Sequence, residues 1–102
     1  MNYYLKENLE VIMKSWHVET IEKEIISYLN AGKKVYIESG AANDQITSYR
    51  TESYKRYSWM DYEEKEIFFQ TSACIFPKEI QLENYSNCDC EDYNGNLFVK
   101  VW

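Results

Sequence analysis

The chain has 102 residues, of which 45% are hydrophobic and 17% aromatic, and its 17 acidic and 11 basic side chains give a formal net charge of −6. This composition predicts one globular domain over residues 1–102 and excludes a disordered chain. No apolar run approaches the roughly 18–20 residues of a membrane span, and the N-terminus lacks the pattern of a signal peptide, so we expect a cytoplasmic protein without membrane contact.

The first predicted element, between Leu9 and Trp16, has two possible assignments. Leu9, Val11 and Met13 alternate as in a strand, and the β-branched side chains of Val11 and Ile12 favour that assignment. The residues that fit helical spacing instead are Leu5, Leu9, Ile12 and Trp16. We expect a strand at residues 9–16, with a helix as the alternative.

A helix is predicted next, from Val18 to Ala31. The apolar side chains that recur there at helical spacing are Val18, Ile21, Ile25, Tyr28 and Leu29. Gly32 follows where a left-handed residue commonly ends a helix. The β-prone run from Val35 to Glu38 then predicts a strand, which Ser39 and Gly40 close.

The remainder of the chain is predicted to form strands, turns and one long loop. The segments are a long or bulged strand over Gln45–Met60, a turn at Asp61–Glu64, a returning strand over Lys65–Ser72, a short edge strand at Ile80–Leu82, a loop over Asn84–Asn96 and a last strand over Leu97–Trp102. The last strand alternates, with Leu97, Val99 and Val101 on one face. Asn94-Gly95 is a strong turn pair within the loop. These elements predict an α+β fold, an antiparallel sheet of four to five strands with one main helix packed on one face.

The sequence contains no arrangement of residues typical of catalysis or metal binding. His17 is the only histidine, and its place beside Trp16 is typical of a polar cap or a half-buried ring. Cys88 and Cys90 are separated by one residue, whereas zinc-binding pairs need two to four. We interpret both as thiols in a polar loop. We therefore expect no enzymatic activity, no metal and no cofactor.

Basic and aromatic residues are interleaved between Tyr49 and Trp59. That pattern is typical of strands that hold single-stranded nucleic acid. The alternative is structural, because Tyr49, Tyr57 and Trp59 occupy odd positions and would share one face of a strand against the helix. A third use is protein binding, since tyrosine and arginine are enriched at interface centres.

Acidic residues are concentrated in the last part of the chain, where residues 61–102 carry nine acids and three lysines. One cluster is predicted at a hairpin tip and consists of Asp61, Glu63, Glu64 and Glu66. The other is predicted in the long polar loop and consists of Asp89, Glu91 and Asp92. Such rows of carboxylates can imitate phosphates and pair with arginine or lysine on another protein. Alternatively, they are solvated charges that keep a tyrosine-rich domain in solution. The candidate partner-binding residues are both clusters together with Tyr57 and Trp59.

In size, acidity, aromatic content and lack of a catalytic motif, the chain resembles the small acidic inhibitors of phages and other mobile elements, among which anti-CRISPR proteins are the largest group. The resemblance implies a stoichiometric inhibitor of a bacterial defence nuclease, which binds where the nuclease holds DNA or guide RNA. The expected partner has a basic groove, and direct binding of nucleic acid is not expected. The alternatives are an immunity protein that neutralises a bacterial toxin, or a small nucleic-acid or ligand-binding module that uses the strand from Tyr49 to Trp59.

Overall fold

The structure is a computed structural model that describes the backbone of residues 3–57 and 62–102 and the side chains of residues 16–53 and 65–102. Within these residues the chain forms one long helix and six strands. The elements are α1 (Tyr3–Asn30), β1 (Val35–Ser39), β2 (Ala42–Tyr57), β3 (Tyr62–Thr71), β4 (Glu79–Ile80), β5 (Cys88–Tyr93) and β6 (Asn96–Val101). A short 3-10 turn, Leu82–Asn84, lies between β4 and β5.

The six strands form one sheet in the order β4-β3-β2-β1-β6-β5. All neighbouring strands are antiparallel except β1 and β6, which are parallel, with Val35 in register with Leu97. The predicted α+β fold, with one helix on a mostly antiparallel sheet, is confirmed. The sheet has one strand more than the four to five expected.

Helix α1 begins much earlier than the predicted helix, because residues 9–16 are helical and not a strand. The alternation of Leu9, Val11 and Met13 favoured a strand locally. However, no glycine or proline separates this segment from the strong helix that follows. Extending an existing helix adds one hydrogen bond for each residue ordered, without a second nucleation cost. The helical alternative for residues 9–16 is therefore the correct one.

The loop predicted over Asn84–Asn96 contains strand β5, so that prediction is wrong for residues 88–93. The Asp and Glu residues of β5 have low strand propensity, but tertiary pairing with β6 outweighs propensity. The predicted Asn94-Gly95 turn connects the two strands, and both residues have positive φ, 55° and 83°, as a two-residue hairpin requires. Cys88 is a buried core residue on β5 and not a thiol in a polar loop.

The long strand predicted from Gln45 is confirmed as β2, with shifts in its pairing to β3 at residues 46–48 and 55–57 that correspond to a bulged strand. The predicted turn at Asp61–Glu64 is wrong for residues 62–64, because β3 already begins at Tyr62 and includes Glu63 and Glu64. Trp59 and Asp61 lie outside the described residues, as do the side chains of Tyr57, Glu63 and Glu64.

The core lies between α1 and one face of the sheet. From α1, Val18, Ile21 and Ile25 are buried, as their helical spacing predicted. The predicted alternation in β6 is also confirmed, because Leu97, Val99 and Val101 all lie in the core. The other buried apolar side chains are Val35, Ile37, Ile46, Phe69, Phe76, Ile80, Leu82 and Cys88.

Asp44 is a buried carboxylate, 6% exposed, that holds the loop between β3 and β4. Its Oδ1 accepts hydrogen bonds from the Ser72 hydroxyl at 2.8 Å and the Cys74 N–H at 3.0 Å. Its Oδ2 accepts hydrogen bonds from the Ile75 N–H at 3.0 Å and the Phe76 N–H at 2.6 Å. Burial by itself would raise the pKa of Asp44, but these four donors outweigh it and hold the pKa well below its ordinary value.

Gly32 ends α1 in the left-handed conformation, with φ 74°. Its N–H donates to the Leu29 carbonyl, and the Lys33 N–H donates to the Tyr28 carbonyl, both at 3.0 Å. This pair of bonds is the Schellman motif, which satisfies carbonyls at the helix end.

We expect Gly32→Val to lower the free energy of unfolding by about 2 kcal/mol, because a β-branched residue disfavours positive φ. No atom lies within 4 Å of a Cβ built at this position, so the cost comes from the backbone alone. Thermal unfolding measures the loss, and Gly32→Asn is the control, with a smaller expected loss because asparagine tolerates this conformation. An unchanged melting temperature for Gly32→Val would contradict the prediction.

Candidate protein-binding face

The sheet has a second face, opposite α1, that no described element covers, and we call it the open face. On β1, the buried Val35 and Ile37 point toward α1, so Tyr36 and Glu38 point to the open face. On β6, the same alternation places Phe98 and Lys100 on the open face. The parallel pairing brings Tyr36 beside Phe98, and Glu38 beside Lys100.

Three aromatic side chains form a cluster on the open face, which we call the aromatic patch: Tyr36, Tyr93 and Phe98. The rings of Tyr36 and Phe98 are stacked, with centroids 5.1 Å apart and an angle of 24° between their planes. Tyr93 meets Phe98 edge-on at 6.3 Å. Tyr93 is 64% exposed and Phe98 39% exposed. The patch is therefore a cluster of contacting aromatic rings that is partly exposed to solvent.

Carboxylates border the aromatic patch. Glu91 is directly opposite Phe98 in the β5–β6 pairing, and Asp89 is opposite Lys100. Lys100 thus lies between Glu38 on one neighbouring strand and Asp89 on the other. Within the described side chains, none of these three acids forms an ion pair with Lys100. The Lys100 ammonium group and the three neighbouring carboxylates are therefore available to a partner.

The far half of the open face, on β2, β3 and β4, carries an arginine that is fully engaged. The Arg50 guanidinium lies over the Phe68 ring, 4.1 Å from its centroid. Its Nε and Nη2 donate to the two carboxylate oxygens of Glu79 at 2.9 and 2.7 Å, and Nη1 donates to Glu52. The hydrogen bonds that Arg50 donates to Glu79 and Glu52 raise the pKa of Arg50, and the bonds that Glu79 accepts from Arg50 lower the pKa of Glu79.

Summed over its described side chains, the open face is strongly negative. Its carboxylates are Glu38, Glu52, Glu66, Glu79, Asp89 and Glu91. Its cations are Arg50 and Lys100, and Arg50 is already paired with two of the carboxylates. A surface of this charge attracts cations and repels nucleic acid.

Three of the residues predicted to bind a partner lie on the open face, Asp89 and Glu91 side by side on β5 and Glu66 four strands away on β3. Asp89 and Glu91 alternate with the core-side residues of β5, and Glu66 on β3 is directly opposite Glu52 on β2. For Asp61, Glu63, Glu64, Tyr57 and Trp59, a role in partner binding stays a prediction.

Asp92 lies on the other side of β5, toward α1. The Tyr28 hydroxyl of α1 donates a hydrogen bond to Asp92 Oδ2, and the Gly95 N–H donates to Oδ1 at 3.2 Å. These bonds lower the pKa of Asp92, and the bond between the two side chains raises the pKa of Tyr28 to about 12. Asp92 therefore connects the helix with the β5–β6 turn, and its role in partner binding also stays a prediction.

The first two residues of the segment predicted to bind nucleic acid, Tyr49 and Arg50, are engaged within the chain. Tyr49 packs against the core, as its odd position predicted, and its hydroxyl donates to Asn30 Oδ1 at 3.3 Å. Arg50 points to the opposite face, where Glu79 and Glu52 neutralise it. Neither residue presents an unoccupied stacking ring or cation to nucleic acid.

The outer edge of β5 is occupied by side chains of the same chain. His17 Nε2–H donates to the Cys88 carbonyl at 2.7 Å, which gives the only histidine a structural contact. The Cys88 N–H donates to Asn87 Oδ1 at 3.1 Å, and the Cys90 N–H to Asp89 Oδ1 at 2.9 Å. Because these main-chain groups are already bonded, we expect a partner to approach the open face and not add a strand at this edge.

Few of the described residues could take part in catalysis or bind a metal ion. Burial first, and then the charges of Glu24 and Asp89, raise the pKa of the Cys90 thiol, which disfavours the thiolate a nucleophile needs. In the described part of the chain, no group of three or more His, Cys, Asp or Glu side chains is arranged to hold a metal ion. No described helix is long and apolar enough to cross a membrane.

Comparison with protein-family models, curated proteins and solved structures finds no match to this chain.

Sequence reasoning missed Tyr36, Glu38 and Phe98 as parts of the candidate site. The alternation in β6 was visible in the sequence and already places Phe98 and Lys100 opposite the core. The missing information was the parallel pairing of β1 with β6, which joins Tyr36 to Phe98 and Glu38 to Lys100. Period-two alternation assigns residues to a face but does not identify the neighbouring strand.

Proposed function

We propose that this protein binds and inhibits a cationic nucleic-acid-binding protein, a bacterial defence nuclease of the CRISPR type, in the cytoplasm of the bacterial host. The observation that carries the proposal is the open face, whose described side chains include six carboxylates, two cations and the exposed aromatic patch. Inhibition is stoichiometric and needs no catalytic group, because the bound protein occupies the groove that otherwise holds nucleic acid.

The spacing of the carboxylates suits this role. Asp89 and Glu91 are two positions apart on one strand, which separates their Cα atoms by about 6.6 Å. Glu38 lies two strands from Asp89, about 10 Å away at the usual strand spacing. Fixed negative charges at these distances can each pair with a different arginine or lysine of a phosphate-binding groove. The sheet fixes the backbone positions from which these carboxylates project.

The aromatic patch provides apolar surface that a partner can bury, which a purely electrostatic contact lacks. Exposed ion pairs are worth little in water, whereas buried aromatic side chains contribute strongly at interface centres. Stacking already fixes Phe98 against Tyr36, so a partner covers this surface without ordering it first. Charge steers the encounter, and burial of the patch slows dissociation.

An immunity protein that neutralises a cationic toxin would use the same electrostatics, and it is the second candidate. The nucleic-acid module is supported less well, because Arg50 is bonded to Glu79 and Glu52 and Tyr49 packs against the core. One of the three cations on that strand is thus unavailable to phosphate.

A gel-shift assay and a competition assay, run in parallel, test the proposal. We expect the protein alone to bind neither duplex nor single-stranded DNA at physiological salt, because three cations release only about three counterions and nearby carboxylates oppose binding. We expect it to lower the DNA occupancy of a guide-loaded CRISPR nuclease at near-equimolar ratio.

Tight, salt-sensitive binding of an oligonucleotide to the purified protein would reject the inhibitor in favour of the nucleic-acid module. If the protein leaves nucleases unaffected but abolishes the activity of a cationic toxin at a one-to-one ratio, the immunity protein would be the correct assignment.

A further inference from the structure

Arg50 shows how the open face binds a guanidinium group. Its planar group lies over the Phe68 ring at 4.1 Å, and two of its nitrogens donate to the carboxylate of Glu79. The aromatic ring stacks against the flat, weakly hydrated surface of the guanidinium group, and the carboxylate accepts hydrogen bonds from its N–H groups. Lysine has a compact, strongly hydrated charge and uses such a site less well.

The other half of the open face also has an aromatic ring with a carboxylate beside it, in the aromatic patch. Phe98 provides a partly exposed ring, and Glu91 lies directly opposite it on the adjacent strand. Tyr36 and Tyr93 hold the Phe98 ring by stacking and by an edge-on contact. Among the described side chains, no guanidinium lies over Phe98, because Arg50 is bound to Glu79 on β4, at the opposite edge of the sheet.

Lys100 does not fill this position. It lies one step further along β6, in register between Glu38 and Asp89, and not opposite Glu91. No described ion pair includes Lys100 or Glu91. The Glu91 carboxylate and the exposed Phe98 ring therefore have no cation of their own within the described part of the chain.

We propose that the aromatic patch, with Glu38, Asp89 and Glu91, is a binding site for arginine side chains of the cationic partner. This inference rests on the proposed function and specifies the chemistry of recognition. An arginine of the partner lies over the face of the Phe98 ring that Tyr36 does not cover, on the side of Glu91, and donates to Glu91, as Arg50 lies over Phe68 and donates to Glu79. Arginines that otherwise hold phosphates are selected over lysines. The negative charge of the face favours this occupant over an apolar surface or another acidic chain.

Short cationic peptides test this site without knowledge of the partner. The probes are an octa-arginine and an octa-lysine peptide, equal in length and charge, titrated into the intact protein near 0.15 M salt with detection by NMR. We expect the arginine peptide to bind about 5-fold more tightly, the effect of one cation–π contact. We also expect the largest chemical-shift changes at Tyr36, Glu91 and Phe98.

Two matched variants locate the effect, because each keeps an apolar side chain and removes only the aromatic plane. Phe98→Leu is expected to reduce the affinity for the arginine peptide to that for the lysine peptide. Phe68→Leu is the control on the same face, and it should leave the peptide affinities unchanged because Arg50 already covers that ring.

Equal affinity of the wild-type protein for the two peptides would overturn the inference, as would an unchanged preference in Phe98→Leu. Shifts confined to residues 49–57 would overturn it as well. These outcomes are distinguishable from failure of the proposed function. If the protein still competes with DNA for the nuclease but shows no preference for the arginine peptide, the arginine site is wrong and the proposed function stands. If the protein prefers the arginine peptide but does not compete with DNA for the nuclease, the arginine site stands and a nuclease is not the partner.

Discussion

Replacing Asp44 with alanine is expected to lower the melting temperature by more than about 10 °C, the largest effect of any single change proposed for stability. The carboxylate accepts four hydrogen bonds, three of them from the consecutive main-chain N–H groups of residues 74–76. Without it, these donors lose their partners, and the Phe76 N–H is left unpaired in a buried position. Phe76 would also lose its position in the core. Circular dichroism melts measure the change, with Glu91→Gln as the exposed control whose melting temperature should not change.

The pH dependence of this loss has a definite sign. The pKa of Asp44 is lowered in the folded state from an ordinary value of 3.8, so between the two pKa values the unfolded chain binds more protons. The stabilisation is therefore complete above about pH 5 and decreases as the pH falls below 3.8. We expect the gap in melting temperature between wild type and Asp44→Ala to narrow from pH 6 to pH 2. A gap that stays constant would show that the charge of Asp44 contributes nothing.

Reversing three charges on the open face is expected to have the largest effect on binding. The variant carries Glu38→Lys, Asp89→Lys and Glu91→Lys. We expect it to associate with the inhibited nuclease at least about 10-fold more slowly and with a flatter salt dependence, because steering by complementary charge is lost. Stopped-flow or surface-based kinetics at two salt concentrations measure both quantities. Asp92 is left unchanged, since it connects β5 to α1 through Tyr28.

The matched control changes the net charge equally at positions away from the open face. The exposed residues for this control are Glu19, Glu24 and Glu83. Their reversal to lysine should slow association much less than reversal on the open face, if local charge and not total charge directs binding.

The predicted hairpin cluster is tested as a second set. Its residues are Asp61, Glu63, Glu64 and Glu66. If neither set of reversals changes affinity while Tyr57→Ala or Trp59→Ala abolishes it, the interface is the aromatic strand, and the proposal of nucleic-acid mimicry is wrong.

The parts of the fold that the sequence predicts well are those decided by neighbouring residues. The end of α1 followed from Gly32, whose positive φ only a few residue types tolerate. The buried side of β6 followed from strict alternation at Leu97, Val99 and Val101. In both cases a local pattern contains the full physical cause, namely backbone sterics or burial of every second side chain.

The parts that were mispredicted depend on distant partners. β5 has polar, weakly strand-forming residues and forms a strand because β6 pairs with it. Residues 9–16 are the exception, because the adjoining part of the same helix extends into them. The aromatic patch depends on both β1–β6 and β5–β6 pairing, so no single segment contains its signal. The sequence identified Asp89 and Glu91 by their charge alone. Their position on the same face of the sheet depends on the β5–β6 hairpin.

The parallel pair of β1 and β6 also bears on how the chain folds. Every other strand pair in the sheet is antiparallel, whereas Val35 meets Leu97 across more than half the length of the chain. Closing that long loop costs entropy before any β1–β6 contact stabilises the product. We therefore expect the β2–β3 and β5–β6 hairpins to form early and their union along β1 to be the slow step. Tyr36 and Phe98 come from the two sides of that junction, so the aromatic patch exists only once folding is complete.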